Sequence, residues 1–434
     1  MSTDRVRGMN DILPEEVVRW RHVEDTIHEI AHRYNYHEIR VPIVEYTELF
    51  TRGIGEASEV VTKQMFTFPD QKGRSLTLRP EGTASVARAY LSQGFQTNAP
   101  FQKLYYLGPM FRYEKPQKGR HRQFHQYGIE AIGSLDPSLD VEVIAFAWTL
   151  MTELGLGGLS LRLNSIGCER DRETYRAALR EHFADAIGSM CADCHRRYDD
   201  NPLRILDCKE PACRPHIDSA PGSAEFLCDA CNKHFGIVRD LLDTLELSYE
   251  IDPHLVRGLD YYTRTVFELI SADLGAQDSL LGGGRYDGLV ESVGGPPTPG
   301  VGFAGGTERL VLVLQDREKE PKPLRLDLFV ASIGDGGRRL GFVLTERLRR
   351  SGLSVEFDHR NRALRKQLTL ANQLNARTLI VIGDDEVAAK RGKLKEMDSG
   401  EERDVHLTAD ALAAELGGRT CDCGCGCSGN DKGA

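Results

Sequence analysis

Two arginines, two adjacent tyrosines and two carboxylates crowd into one run, Leu255-Val256-Arg257-Gly258-Leu259-Asp260-Tyr261-Tyr262-Thr263-Arg264-Thr265-Val266-Phe267-Glu268. Burying an unpaired charge is expensive, so Arg257, Asp260, Arg264 and Glu268 must be exposed, paired or set against a polar ligand. Thr263, Thr265, Val266 and Phe267 are strand formers, and the run reads as a strand. Gly258 lets its backbone approach something closely. Taken alone, the run fits a salt-bridged edge strand as well as a ligand site, because structural ion pairs also cluster charge.

Other arginines widen the choice. Arg112 and Glu114 flank a strand end, Arg120 lies in the basic loop behind them, and Arg309 follows Gly305-Gly306-Thr307-Glu308 at a helix start. With Arg257 they make four candidates for one polyphosphate, since the planar guanidinium fork grips phosphate oxygens in pairs. The chain has no G-x-x-x-x-G-K-S/T loop and no well-placed G-x-G-x-x-G, so any phosphate site must be built from such side chains.

Cysteine supplies a separate chemistry. Of 11 cysteines, Cys168 stands alone, Cys191, Cys194, Cys208, Cys213, Cys228 and Cys231 share one segment, and Cys421, Cys423, Cys425 and Cys427 alternate near the end. Cys191-x-x-Cys194 and Cys228-x-x-Cys231 have the spacing of a four-thiolate structural zinc site, with Cys208 and Cys213 able to replace either pair. A set of reduced buried thiols fits the same spacing. The last four cysteines fit soft-metal binding or an inert extension.

The elements that would position these groups follow from patterning. With 434 residues, 40% hydrophobic and 28% charged, the chain fits a soluble globular protein of roughly two to three domains. No apolar run reaches the ~18 residues of a membrane span, and no signal-peptide core follows Met1, so a cytoplasmic location is expected. A net charge of −10 excludes a uniformly basic nucleic-acid coat but leaves room for local patches: Arg112, Lys115, Lys118, Arg120, His121 and Arg122, and Arg360, Arg362, Arg365 and Lys366.

Helical periodicity covers 15–34 and 141–154, with further helices expected over 83–93 and 171–183. Strands are expected over 39–44, interrupted by Pro42, over 101–113 and 123–132, and over 159–163. A hairpin is expected from 64–68 and 75–78 across a Pro-Asp-Gln-Lys-Gly turn. The Asp-, Pro- and Cys-rich stretch at about 190–232 reads as an insertion. After a charged linker, 315–325, strand and helix alternate from 326 onward, as in a small parallel or mixed α/β domain. The Gly/Cys-rich tail, 416–434, reads as disordered.

Several segments together resemble the histidyl-tRNA synthetase family of class II aminoacyl-tRNA synthetases. They are Arg7-Gly8-Met9-Asn10-Asp11, Arg79-Pro80-Glu81-Gly82-Thr83, the stretch from Phe111 to Gln126, the Arg257 run, Gly282-Gly283-Gly284-Arg285-Tyr286-Asp287-Gly288-Leu289, and Gly302 to Leu310. The resemblance spans about residues 5–415. It implies an α+β catalytic domain over 1–325, with a mixed, mostly antiparallel sheet flanked by helices. It also implies an α/β anticodon-binding domain over 326–415.

The activity it implies is that of a histidine–tRNA ligase. Histidine and ATP give histidyl-adenylate and pyrophosphate, and the histidyl group then moves to the 3′ end of tRNA(His). By the resemblance, Arg112 holds the α-phosphate, Glu114 the adenine end, and Arg120 and Arg309 the outer phosphates. Arg257 sits on the α-phosphate opposite Arg112, and Mg²⁺ bridges the remaining oxygens. Glu81, Thr83, Gln126 and Glu130 receive histidine, and Tyr261 with Tyr262 closes its ring pocket. A homodimer is implied, with the segment around Pro42 near its interface.

Thr307 departs from the pattern, standing where an apolar residue is expected. Regulatory relatives of these synthetases tend to lack the ATP-binding arginines and the anticodon-binding domain. The presence of Arg112, Arg257, Arg309 and a C-terminal α/β segment argues against that alternative.

Overall fold

A computed structural model describes residues 3–56, 58–117, 119–271, 279–315 and 325–417. The tail cysteines, Lys118 and most of the linker lie outside the described residues. The chain divides into two compact units, Met1–Pro321 and Lys322–Ala434. Among the described residues no helix is long and apolar enough to cross a membrane.

The first unit opens with α1 (Pro14–Arg33). Its proline stands in the first turn, with acidic residues at the start and basic ones at the end, as the helix dipole favours. It buries Trp20, Val23, Ile27, Ile30 and Ala31 along the expected stripe. Then come β1 (His37–Glu38), β2 (Val44–Tyr46), α2 (Thr47–Ile54), β3 (Phe66–Pro69), β4 (Ser75–Leu78), α3 (Thr83–Ser92), α4 (Phe95–Asn98), β5 (Gln102–Phe111), β6 (Gln123–Ile132), α5 (Pro137–Glu153), β7 (Leu159–Ser165) and α6 (Glu169–Phe183). The insertion adds α7 (Ala192–Asp200), a 3₁₀ turn at Pro202–Ile205, α8 (Arg214–Asp218) and α9 (Asp229–Thr244). The unit ends with β8 (Tyr249–Ile251), β9 (Thr263–Ser271), β10 (Ser279–Arg285), α10 (Leu289–Ser292), β11 (Gly300–Gly306) and α11 (Thr307–Gln315).

Eight strands form one sheet in the order β1-β5-β6-β11-β10-β9-β7-β8. Only its outermost pairs, β1 with β5 and β7 with β8, are parallel. The inner pairs are antiparallel. This is the mixed, mostly antiparallel sheet expected. One core joins it to side chains of α1, α5, α9 and α11, and another to those of α3 and α10.

Three local expectations fail, each for a physical reason. The segment Arg257 to Tyr262 is not strand but a chain of bends and turns, and β9 begins at Thr263. Its charges are held by side-chain partners instead of a ladder. The strand expected over 39–44 is broken at Pro42, which cannot donate to a sheet: β1 precedes it, and β2 follows in a separate three-stranded sheet, β2-β4-β3. Gln64 closes a π-helical turn, so the hairpin strand starts only at Phe66.

The second unit alternates as expected: β12 (Leu328–Ser332), α12 (Gly334–Arg350), β13 (Val355–Phe357), α13 (Leu364–Gln373) and β14 (Thr378–Ile382). It continues through α14 (Asp384–Ala389), β15 (Arg391–Glu396), β16 (Glu402–His406) and α15 (Ala409–Leu416). Its sheet runs β13-β12-β14-β15-β16, with the first three strands parallel and the last two antiparallel. The β15–β16 hairpin was missed because its strands are mostly charged and largely exposed.

Candidate functional site

Strand β6 places Gln126, Gly128 and Glu130 on one face at the strand period of two. Over that face lies the start of α3. Glu81 spends both oxygens on the helix's free donors: Oε2 accepts from Thr83 N (2.7 Å) and Oε1 from Ala84 N (2.8 Å). Gly82 N donates to Gln126 Oε1 (3.1 Å), and Thr83 Oγ1 donates to Glu130 Oε1 (2.6 Å). The other Glu130 oxygen accepts from the Tyr286 hydroxyl. Glu81, Thr83, Gln126, Glu130, Tyr261 and Tyr262 are all buried.

Burial pushes the Glu130 carboxyl up to about 8 against the opposing bonds from Thr83 and Tyr286, and it raises Glu81 as well. The Tyr261 and Tyr262 rings meet 4.7 Å apart, and Tyr261 meets Tyr286 edge-on at 5.8 Å. Tyr286 and Tyr106 are pocket residues that sequence reading missed. Tyr286 lay in the glycine-rich motif already singled out, whereas Tyr106 gave no signal beyond strand propensity.

Gly302 pairs with Glu130 across β11 and β6, and a Cβ there would collide with the Glu130 carboxylate. Gly282 does the same service for Arg257, whose guanidinium occupies the space where a Cβ would stand. In the structure, Gly282 makes room for an arginine.

Arg257 Nη1 donates to Glu268 Oε1 (3.0 Å), on the strand that pairs with Gly282. Its Nε is buried without a partner. The ion pair of a salt-bridged strand is therefore real, yet it leaves the buried Nε over. Arg257 is close enough to Tyr262 to lower the phenol against the upward push of burial.

Arg112 and Arg309 are tied to neutral groups. Arg112 Nε donates to Pro80 O (2.8 Å), with its guanidinium 5.3 Å from the Phe124 ring centroid. Arg309 donates to Ser279 O. Arg120 reaches Glu114 at 3.6 Å, a loose pair in a half-exposed loop. Arg309 is lowered by burial first and then by the like charge of Arg120, while Glu268 and Glu114 oppose the shift. Arg112 in turn helps to lower Glu81. Arg120, Glu114 and Glu268 thus lie within electrostatic reach of Arg309, Glu268 also holds Arg257, and Arg112 lies within reach of Glu81.

Helix α11 is anchored beside them by Glu308, which accepts from His125 N (2.8 and 3.0 Å) and meets its ring at 3.0 Å. Thr307 is buried as the first residue of that helix, which keeps Arg309 in register.

The cysteine grouping needs correction. Cys191, Cys194, Cys228 and Cys231 do not converge on one point. Cys191 and Cys194 meet Cys208 and Cys213, while Cys228 and Cys231 meet Cys168 and Asp171. Cys168 is not alone. The two Cys-x-x-Cys pairs were visible in the sequence, but their partners depend on which helix starts the fold brings together.

The family model for histidyl-tRNA synthetase matches residues 8–187 and 214–310, and an anticodon-binding-domain model matches 328–416. The chain belongs to the histidyl-tRNA synthetase family. It is 48% identical over 406 residues to the histidine–tRNA ligase of Caldanaerobacter subterraneus subsp. tengcongensis, covering 93% of this chain and 97% of that protein. It is also 48% identical to that of Trichlorobacter lovleyi, over 97% of this chain and 100% of the relative. Among solved structures, apo histidyl-tRNA synthetase from S. aureus superposes with a TM-score of 0.81 at 40% identity, over 96% of this chain and 100% of that one.

Proposed function

We infer that this chain is a histidine–tRNA ligase and that its two substrates meet where Arg257 stands. The observation that carries the reading is the shared placement just described. A buried cluster of Glu81, Thr83, Gln126, Glu130, Tyr261 and Tyr262 adjoins Arg257, and Glu268, which holds Arg257, lies within electrostatic reach of Arg309, as do Glu114 and Arg120.

The pocket suits histidine. Its carboxylates accept from the cationic amine and the imidazole N–H, and its tyrosine hydroxyls donate or accept as the ring requires. A carboxylate oxygen of histidine attacks the α-phosphorus of ATP, the bond to the β-phosphate oxygen breaks, and pyrophosphate leaves. Little covalent work falls to the protein, so positioning and charge carry the step. Arg112 and Arg257 grip the α-phosphate from opposite sides and stabilise its developing charge. Glu114 receives the adenine end, and Arg120 and Arg309 the outer phosphates. Glu268 is a hard oxygen donor that would help hold the Mg²⁺ accompanying ATP, and that ion would offset phosphate charge. In the second step the terminal tRNA hydroxyl attacks the acyl carbon and AMP leaves.

The wider assignment follows the same reading. Residues 1–325 form the catalytic domain, and residues 326–415 receive the anticodon of tRNA(His). The protein works in the cytoplasm as a homodimer. Ile43, Val44, Tyr46 and Phe68 expose apolar surface beside Pro42 and support a subunit contact there. Structural zinc in the insertion belongs to the reading too.

The test is ATP–pyrophosphate exchange with purified protein. Exchange dependent on histidine is expected. None with histidine, or faster exchange with another amino acid, would defeat the assignment.

A further inference from the structure

All seven cysteines of the described residues fall into two tight clusters, and none is in a disulfide. In each cluster the ligand atoms lie within 4.8 Å of one another. Cys191 Sγ and Cys208 Sγ are 3.7 Å apart. A disulfide would bring them to about 2.05 Å. Tetrahedral zinc with Zn–S bonds of about 2.3 Å sets its sulfurs about 3.8 Å apart. Cys191 N also donates to Cys213 Sγ at 3.3 Å, the bond a thiolate accepts well.

The local construction repeats. Cys191 caps α7 with Cys194 three residues on, Cys168 caps α6 with Asp171 three residues on, and Cys228 caps α9 with Cys231 three residues on. Arg170 stands 3.8 Å from Asp171, offsetting the negative charge that three thiolates and a carboxylate leave around a dication.

The family model leaves residues 188–213 unmatched, the stretch that supplies all four ligands of the first cluster. That stretch is short, and its apolar side chains share one small core with α6 and α8. Units of this size ordinarily need a staple.

We propose that the insertion is a two-zinc unit. One ion is held by Cys191, Cys194, Cys208 and Cys213, and the other by Cys168, Asp171, Cys228 and Cys231. Binding releases the thiol protons and involves no redox change.

The consequence reaches the loop that carries Arg257, Tyr261 and Tyr262. Between Cys194 and Cys208 lie Asn201 and Arg204, which hold Asp260 Oδ1 at 3.0 Å each, while Arg204 also donates to Gly258 O (2.8 Å). Next to Asp171 lies Arg172, whose Nη1 donates to Asp260 O (3.1 Å) and Tyr262 O (2.9 Å). One residue before Cys168, Gly167 O accepts from Arg264 N (2.7 Å). The two ions fix the helix ends from which these clamps reach the loop, so Asn201, Arg172 and Arg204 are positioning residues.

The experiment is metal analysis of the full-length protein, followed by removal and reconstitution. Two zinc ions per chain are expected. The Cys208→Ser/Cys213→Ser and Cys228→Ser/Cys231→Ser variants should each lose one. Cobalt reconstitution of the unaltered chain guards against variants that misfold; it should give thiolate-to-cobalt charge-transfer bands and intense tetrahedral d–d bands. Fewer than two ions after reconstitution, or no such spectrum, overturns the proposal.

The link to the loop rests on the pocket assignment above and has its own readout. Stripping zinc should raise the KM for histidine on the order of 10- to 100-fold, with that for ATP changing less and zinc restoring both. Two bound ions with an unaltered histidine KM after removal would overturn the link alone. Loaded protein without histidine-dependent exchange would overturn the pocket assignment instead.

Discussion

Glu81 and Glu130 are carboxylates whose oxygens are all bonded within the protein before any ligand arrives, whereas Arg112 and Arg309 are cations that donate to the neutral carbonyls of Pro80 and Ser279. The difference follows from burial. Inside the pocket an unsatisfied polar group is costly, so both carboxylates have their oxygens filled and their geometry set in advance. On the arginine side a carbonyl steers the guanidinium without cancelling its charge. Under the proposed reading, a bound polyanion would relieve the repulsion between Arg309 and Arg120. One end recognises shape and hydrogen-bond pattern, and the other stores uncompensated charge. Arg257 stands between them, half spent on Glu268.

The largest effect should come from that junction. Arg257→Ala is expected to lower the exchange turnover by about 10²- to 10³-fold, as for loss of a donor aimed at developing charge. The KM for histidine should move much less. Equal loss in both parameters would place Arg257 with the pocket and dissolve the contrast.

Glu130→Gln should act on the other end. The amide cannot accept on both sides, so either Tyr286 or Thr83 loses its acceptor. We expect the histidine KM to rise on the order of 10- to 100-fold, with the ATP KM nearly unchanged. Steady-state kinetics with each substrate varied would show it, and a matching rise for ATP would show that the two ends are not separable. Arg120→Ala should be milder, about 3- to 10-fold on the ATP KM, because its partnered, half-exposed head is already screened. An unaltered ATP KM would remove Arg120 from the arginine side.

The same contrast explains what the sequence revealed. The strand expected over 123–132 and the periodicity over 15–34 are local readings, and the strand and helix they imply are present. The charged load around Arg257 was legible as a demand for partners. Its answer was not, because it depends on register: Gly282 lies opposite Glu268 only once β10 has paired with β9. Asp260 read as part of a chemical run, yet its carboxylate is a grip for Asn201 and Arg204, residues some 60 positions away. Cys168 looked solitary because its partners, apart from Asp171, come from α9. Where a feature is set by neighbours within one element, sequence sufficed; where it is set by two helix ends meeting, it did not.

The smallest effect is a single proton, and it tests whether the pocket is as neutral as its burial demands. Burial drives Glu130 up to about 8, above the roughly 4.3 of a free glutamate. The folded value is the raised one, so the folded chain keeps a proton that the unfolded chain has released. Its contribution to stability is full below about pH 4.3, declines as pH rises, and is gone above about 8, with a slope of at most about 1.4 kcal/mol per pH unit. Denaturant melts between pH 5 and 8 should therefore flatten in Glu130→Gln relative to the unaltered chain. Substrate acts on the same proton. The cationic amine of histidine favours the ionised carboxylate, so binding near pH 7 should expel up to about one proton, visible by calorimetry in buffers of different ionisation enthalpy. Release that survives Glu130→Gln assigns the proton to another group. No release from the unaltered chain would mean that Glu130 is charged before histidine arrives, and the pocket would then hold uncompensated charge just as the arginine side does.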